Sequence, residues 1–408
     1  MPAINELGRS ISRLTAASVF FLVALVSGAT AAPKLFFYPP PHKLADGSIV
    51  ASPVTSKAEQ LTTDFPAIDE MSGVALIVYW SQLCPAENHC DFSLIDKVLS
   101  YWGERSKTVV LAVATVGYPI KTIRSGNTAY QNATPEWVLS HTSRYSTLSP
   151  TINSPGKETK IVTEFPSYAD PYFVSAIQKL VQALAARYDG NPNISEVRIS
   201  TGLLTEDNPS VEGLKSSMPG FSESFWIAFC RKMTDVYLAS FKKTQLEFDV
   251  GRISWALAGK DQKAIGEAQA FYQYLIDRKI FIAFNGLRDK LWPLLTGAAN
   301  EPAGAKKSLL FLSQARRAHL SVGLEAYGPI SLPEMQNTDA IGHVICSIEP
   351  DRLIFFTTFP SLINYQRHGA NAANKPTIIR FLGPKLDDLI KLADRYLSMV
   401  DTDKYCRH

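Results

Sequence analysis

The sequence predicts an α/β fold, a closed (β/α)8 or TIM barrel, and three observations predict it. Short runs rich in Val, Ile, Leu and Ala alternate with amphipathic runs over nearly all of the 408 residues, the rhythm of βα units and a parallel sheet. Eight strand-like runs can be counted, each followed by a helical one, and eight such units are what a closed barrel needs. The rival, an open doubly wound sheet, would carry a glycine-rich phosphate turn after an early strand, and none is present.

Lys34 to Tyr38 reads as the first strand, stopped by three prolines, and Ser56 to Ile68 as a short helix. Val74 to Trp80 is a strongly apolar second strand. In Phe92 to Gly103 the apolar residues Leu94, Ile95, Val98, Leu99 and Trp102 recur at helical spacing. Thr108 to Val116 is the third strand. A segment from about Gly117 to Tyr168, rich in Ser, Thr, Asn and Pro, reads as one long loop, and loops of that length in compact domains are usually functional. Asp170-Pro171 opens the next helix, with Asp as N-cap and Pro at the first helical position. Asp189-Gly190-Asn191-Pro192 ends it. Ile194 to Ser200 is the fourth strand, Phe221 to Phe241 a helix, and Leu246 to Trp255 the fifth strand. Lys263 to Arg278 is helical, Ile280 to Phe284 the sixth strand, Lys306 to Ala318 helical, and Leu320 to Leu324 the seventh strand. Asp339 to Ile348, Leu353 to Thr358 and Leu386 to Val400 complete the series as helix, eighth strand and helix.

Residues 1–32 read as a signal peptide and 33–408 as a single barrel domain. Arg9 and Arg13 form a basic start, Leu14 to Val26 an apolar core of 13 residues, and Ala29 and Ala31 the small-residue cleavage pattern. The apolar core is short of the ~20 residues a membrane span needs, and no later stretch reaches that length. The expectation is a secreted or periplasmic protein, with no membrane insertion after cleavage. The formal charge of +3 is not gathered into a basic run, so nucleic acid and anionic membranes are not implied as partners. Oligomeric state is left open. Of the five cysteines, Cys84 and Cys90 read as a local disulfide in an exported chain. Cys230 lies in a helical pattern as a buried thiol, and Cys346 and Cys406 are free to pair. No His, Cys and acid cluster has metal-ligand spacing, and no cofactor is expected.

In a barrel of this kind the active site lies at the C-terminal ends of the strands. Two carboxylates stand there, Glu206 after the fourth strand and Glu325 after the seventh. Cleaving a glycosidic bond takes one acid to protonate the leaving oxygen and a second carboxylate to attack or stabilise the sugar centre. Aromatic side chains suit the flat apolar face of a sugar ring, and Trp80, Tyr118, Trp137, Trp255, Tyr327 and Phe359 are the candidates for that lining. Asn285, after the sixth strand, is a candidate ligand for a substrate hydroxyl. Glu247 and Asp249 lie within the fifth strand, where one of them can face the barrel mouth. His343 belongs to a helix face.

The segment VYWSQLCPAENHCDFSLIDKVL, residues 78–99, resembles the second strand and following helix of clan A glycoside hydrolases, in particular barrels like those of bacterial β-galactosidases. Those carry a W-x-x-L-E-P…YDFS-x-ID pattern. The segment DPYFVSAIQKLVQALAARYDGNPNISEVRISTG, residues 170–202, resembles the helix and fourth strand of the same barrels. The resemblance implies a retaining hydrolase acting on a polysaccharide or oligosaccharide, with Glu206 as acid/base and Glu325 as nucleophile. Two departures stand out. Cys84 occupies the place of the pattern's Glu before Pro, and Thr205 stands where the clan has Asn before the acid. Asn300-Glu301-Pro302 matches the clan's short acid/base signature better than Thr205-Glu206 does, but no strand precedes it and it reads as a surface loop. The alternative reading is a non-catalytic barrel that binds polysaccharide; a metal-dependent hydrolase is a third class, for which the sequence shows no ligand cluster.

Overall fold

In the computed structural model the described residues are 32–38, 42–43, 49–50, 71–117, 120–124, 127–150, 160–209, 220–291, 303–326, 335–355, 391–396, 398 and 406. The chain runs through β1 (Lys34–Phe37), β2 (His42–Lys43), β3 (Ile49–Val50), β4 (Met71–Tyr79), α1 (Trp80–Leu83), α2 (Ser93–Gly103) and β5 (Thr108–Ala114). There follow β6 (Ile120–Arg124), β7 (Asn127–Gln131), α3 (Glu136–Leu139), β8 (Arg144–Pro150), β9 (Lys160–Pro166), α4 (Pro171–Tyr188) and β10 (Ile194–Arg198). The remainder is α5 (Glu223–Ser240), β11 (Gln245–Asp249), α6 (Arg252–Leu257), α7 (Gln262–Asp277), β12 (Phe281–Leu287), α8 (Ala303–Arg317), β13 (Val322–Ala326), α9 (Thr338–Ile348) and β14 (Arg352–Phe355).

Eight strands close into a barrel in the order β1-β14-β13-β12-β11-β10-β5-β4. Every neighbouring pair is parallel. These are the eight strands expected from the sequence, and the fold is the (β/α)8 barrel. Helices pack around the sheet through apolar stripes such as Phe173, Ile177, Leu180 and Leu184 of α4. Asp170 caps that helix by accepting from Tyr172 N at 2.9 Å.

Several boundaries differ from the expectation. The long loop after the third strand contains two antiparallel hairpins, β6–β7 and β8–β9, with α3 between them. Their Ser- and Thr-rich composition hid β structure that pairs only with itself. The fifth strand ends at Asp249 rather than Trp255, because the chain turns at Gly251 into the short helix α6. The sixth and seventh strands run on through Asn285 and Glu325, so both lie inside strands rather than after them. The expected helix at 56–68, most of the signal segment, and residues 356–358 of the eighth strand lie outside the described residues.

Side chains alternate across a strand, and the alternation divides the barrel interior into unlike halves. From β1, β4, β5 and the end of β14 come Phe36, Ala75, Ile77, Val110, Ala112 and Ile354, packed together as one apolar cluster. From β10, β11, β13 and the start of β14 come Arg198, Glu247, Asp249, Glu325 and Arg352, all buried. Gly323 makes room for them: a Cβ there would lie 2.8 Å from the Phe281 ring and 3.3 Å from the Arg352 guanidinium.

Candidate active site

A buried charge is tolerated only when paired and hydrogen-bonded, and Arg198 is the hub that does the pairing. Its guanidinium reaches Glu247 Oε1 at 2.7 Å, Glu325 Oε2 at 3.1 Å and Asp249 Oδ2 at 3.6 Å. Arg352 braces Glu247 from below, meeting its Oε2 at 2.6 Å, and reaches Glu196 at 3.1 Å. A column of alternating charge therefore runs up the barrel from Glu196 to Glu325. Burial alone would favour a neutral Glu247, yet the two arginines overcome it and hold the carboxyl below its usual range. The carboxylates in turn hold the Arg198 guanidinium charged against the cost of burial.

Glu325 is held at both oxygens, Oε2 by Arg198 and Oε1 by the hydroxyl of Tyr38 at the end of β1. It is 3% exposed. Burial and the Glu325 charge push the Tyr38 hydroxyl well above its ordinary range, so it remains a donor.

Glu206 comes from a different kind of position. It lies beyond the end of β10 on a loop folded back on itself, with Gly202 N and the Thr201 hydroxyl donating to Glu206 O at 2.9 and 3.0 Å. Leu204 and Thr205 have positive φ, 52° and 75°. For a β-branched residue such as Thr that is a strained conformation, sustained here by the contacts around it. The loop delivers the Glu206 carboxyl to Asn285, whose Nδ2 donates to Oε1 at 2.6 Å. Asn285 is the register partner of Glu325 on the adjacent strand, so the bond brings the Glu206 carboxyl to the strand position beside Glu325. Glu206 keeps partial exposure, but its crowded surroundings and the Glu325 charge raise its pKa to about 7, against the pull of Asn285 and Arg198. Asp249 stands beside them, its Oδ1 accepting from Asn285 N at 3.1 Å. Burial, then the charges of Glu325, Glu206 and Glu247, push it well above the carboxylate range, with Arg198 opposing.

Residues 58–212 match the family model Glyco_hydro_42, described as Beta-galactosidase. The match includes β4 and runs on to the loop that carries Glu206, less than half of the chain. Solved structures similar to this chain include xylanase 10B from Thermotoga petrophila, 9% identical, covering 79% of this chain and 87% of that one at a TM-score of 0.39. Another is a beta-galactosidase from the Antarctic haloarchaeon Halorubrum lacusprofundi, 10% identical, covering 71% and 48% at 0.41. A third is a GH5_18 protein from Streptomyces cattleya in complex with GlcNAc, 13% identical, covering 70% and 61% at 0.39. No curated protein matches the chain.

The other candidates fall elsewhere. Trp80 is 1% exposed and packs in the layer between sheet and helices, against Trp137 and Phe173 with ring centroids 5.7 and 6.4 Å away. Trp137 donates its Nε1 to Cys84 O at 2.9 Å. Both line an outer groove rather than the barrel mouth. They were misplaced because a tryptophan at a strand end reads alike whether it points into the lumen or away from it. Trp255 sits on α6, 48% exposed and close to Gly304 of α8. Tyr118, Tyr327, Phe359 and the competing Glu301 lie outside the described residues. Sequence reasoning missed Tyr38, Arg198 and Arg352. The available signal was a charged residue inside an otherwise buried parallel strand, as in Ile194–Arg198.

Cys84 and Cys90 form a disulfide, as do Cys346 and Cys406, and Cys230 is buried and free. Among the described residues, no helix is long and apolar enough to cross a membrane and no cluster of ligating side chains could hold a metal ion.

Proposed function

We propose that this protein is an exported retaining glycosidase of oligo- or polysaccharides, with Glu206 as acid/base and Glu325 as nucleophile. The observation that carries the reading is Asn285, which binds the Glu206 carboxyl and lies in register with Glu325. A retaining mechanism needs its two carboxyls only ~5–5.5 Å apart. A donor with a pKa of about 7 keeps its proton in about half of the molecules at pH 7 and in more below it, ready to protonate the leaving oxygen. Glu325 then attacks the anomeric carbon, its position fixed by Arg198 and Tyr38.

The same electrostatics supports the second half of the reaction. The Glu325 charge is one cause of the raised Glu206 pKa. Once Glu325 becomes an ester that charge is gone, the Glu206 pKa falls, and Glu206 can take a proton from the incoming water. Export is supported by the signal-like residues 1–32 and by the two disulfides, which persist in oxidising compartments.

Aryl β-D-galactosides, chosen from the description of the matching family, are the first probes, followed by a panel of polysaccharides. The expected result is hydrolysis with retained anomeric configuration by NMR. A 2-fluoro galactoside with a reactive leaving group should label the peptide containing Glu325. Labelling of another peptide would refute the nucleophile assignment, and an inverted product would refute the mechanism.

A further inference from the structure

A proton donor carried on a strained loop, not on a strand, needs something to hold it, and the residue next to Glu206 is built for that. Asp207 is fully buried, with 0% exposure. Its carboxylate accepts from the backbone N–H groups of Arg252 and Ile253, the latter at 2.9 Å, at the start of α6. Its own carbonyl accepts from Trp226 Nε1 of α5 at 2.7 Å. Trp226 is itself fixed in an aromatic cluster with Tyr168 and Phe229, at centroid distances of 5.0 and 5.4 Å. The approach is so close that a Cβ on Gly251 would sit 2.8 Å from Asp207 Oδ1.

We infer that Asp207 is the positioning residue of Glu206: by fastening the loop to α6 and α5 it holds the neighbouring carboxyl against Asn285. Asp207 touches no reacting atom and acts through the backbone it shares with Glu206. Without the fastening, Leu204 and Thr205 are released to leave their left-handed conformation, and Glu206 swings toward water. The inference rests on the reading of Glu206 as proton donor, although its first consequence, a change in the surroundings of Glu206, does not depend on catalysis.

The test uses two variants of the full chain. Asp207→Asn leaves a single acceptor oxygen for two N–H groups. Gly251→Ala keeps the Asp207 charge and pushes its carboxyl away from its seat. The readout is the carboxyl 13C titration of Glu206, identified by its disappearance in Glu206→Gln. The charged or titratable groups facing Glu206 are Glu325, Asp249, Arg198 and Asp207, with Asn285 as its donor. From about 7 in the wild type, the midpoint should fall by roughly one pH unit or more in both variants, toward the ordinary ~4.3 of an exposed carboxyl. Hydrolysis of 4-methoxyphenyl β-D-galactoside, a poor leaving group, should drop roughly 10- to 100-fold, the range general-acid catalysis contributes. The 2,4-dinitrophenyl galactoside should drop far less.

A midpoint that moves in Asp207→Asn alone means that only the charge of Asp207 matters, and overturns the inference. An unmoved midpoint in both variants overturns it too. So does an equal loss on both substrates with a lowered urea midpoint, the mark of plain destabilisation. If Glu206→Gln cleaves the methoxyphenyl substrate as well as the wild type, the donor assignment fails, while the titration still judges the fastening.

Discussion

Replacing Arg198 by Met tests the charged half of the barrel most directly. Arg198 is 2% exposed and bonded to Glu247 and Glu325, with Asp249 in range. Removing one partner of a buried ion pair typically costs ~3–5 kcal/mol, because the charges left behind stay desolvated. Here the cost should fall near the lower end, about 3 kcal/mol. Glu247 keeps Arg352 and Glu325 keeps Tyr38, and a raised Asp249 has no full charge to strand. With a urea slope near 3 kcal/mol per molar, that loss moves the unfolding midpoint down by about 1 M. The pH dependence has a definite sign. In the wild type Glu247 is held below its unfolded value, so its contribution is present above about pH 4.3 and is lost as pH falls through the folded value. Arg198→Met gives up part of that contribution, so its deficit should be largest at neutral pH and narrow in acid. A midpoint shift under about 0.3 M at pH 7, or a deficit that widens in acid, would show that the network does not hold the barrel as described.

Other outcomes follow from the same geometry. Glu206→Gln should lose most activity on poor leaving groups and yet be more stable than the wild type at pH 8–9. A carboxyl raised from ~4.3 to about 7 contributes stability fully present below its unfolded pKa and lost as pH rises through the folded one. Thermal unfolding across pH 5–9 checks this, and equal stability of both forms above pH 8 contradicts it. Wild-type activity should decline as pH rises past about 7, where the donor loses its proton; a flat profile up to pH 9 counts against Glu206. Tyr38→Phe should slow the fluoro-sugar labelling of Glu325 while leaving the far-ultraviolet dichroism intact; unchanged labelling removes Tyr38 from the site. Cys84→Ser with Cys90→Ser should cost about 2 kcal/mol by the loop-entropy rule for a short ring, measured in urea with and without reductant, and no difference would mean that the ring is already rigid without its bond.

What could be read ahead was local. Parallel barrel strands are buried on both faces, and Val-Ala-Leu-Ile-Val in β4 or Val-Val-Leu-Ala-Val in β5 announces itself. Glu325 was legible because a lone acid follows Val-Gly-Leu in one of those strands. Glu206 was legible as an acid after the fourth strand, while its acid/base role came only through the resemblance and its exact place depends on a fold-back between Gly202 and Asn208 that no periodicity reveals. The partners of Glu325 were hidden because they lie far along the chain, 127 residues away for Arg198 and 287 for Tyr38. Trp255 does not end the fifth strand as expected because Gly251 turns the chain into α6, and a single glycine in a strand-like run is a weak signal of a helix start.

The bond between Tyr38 and Glu325 has a further consequence, for folding kinetics. It crosses the seam where the first strand meets the last, and contacts of such sequence separation form late because loop closure must precede them. The proposed reacting centre is therefore completed only when the sheet closes on itself. An intermediate with helices formed and half of its strands paired would show most of the native dichroism and no turnover. In a refolding experiment, the return of hydrolysis should lag behind the return of secondary structure, and enzyme activity becomes a clock for ring closure.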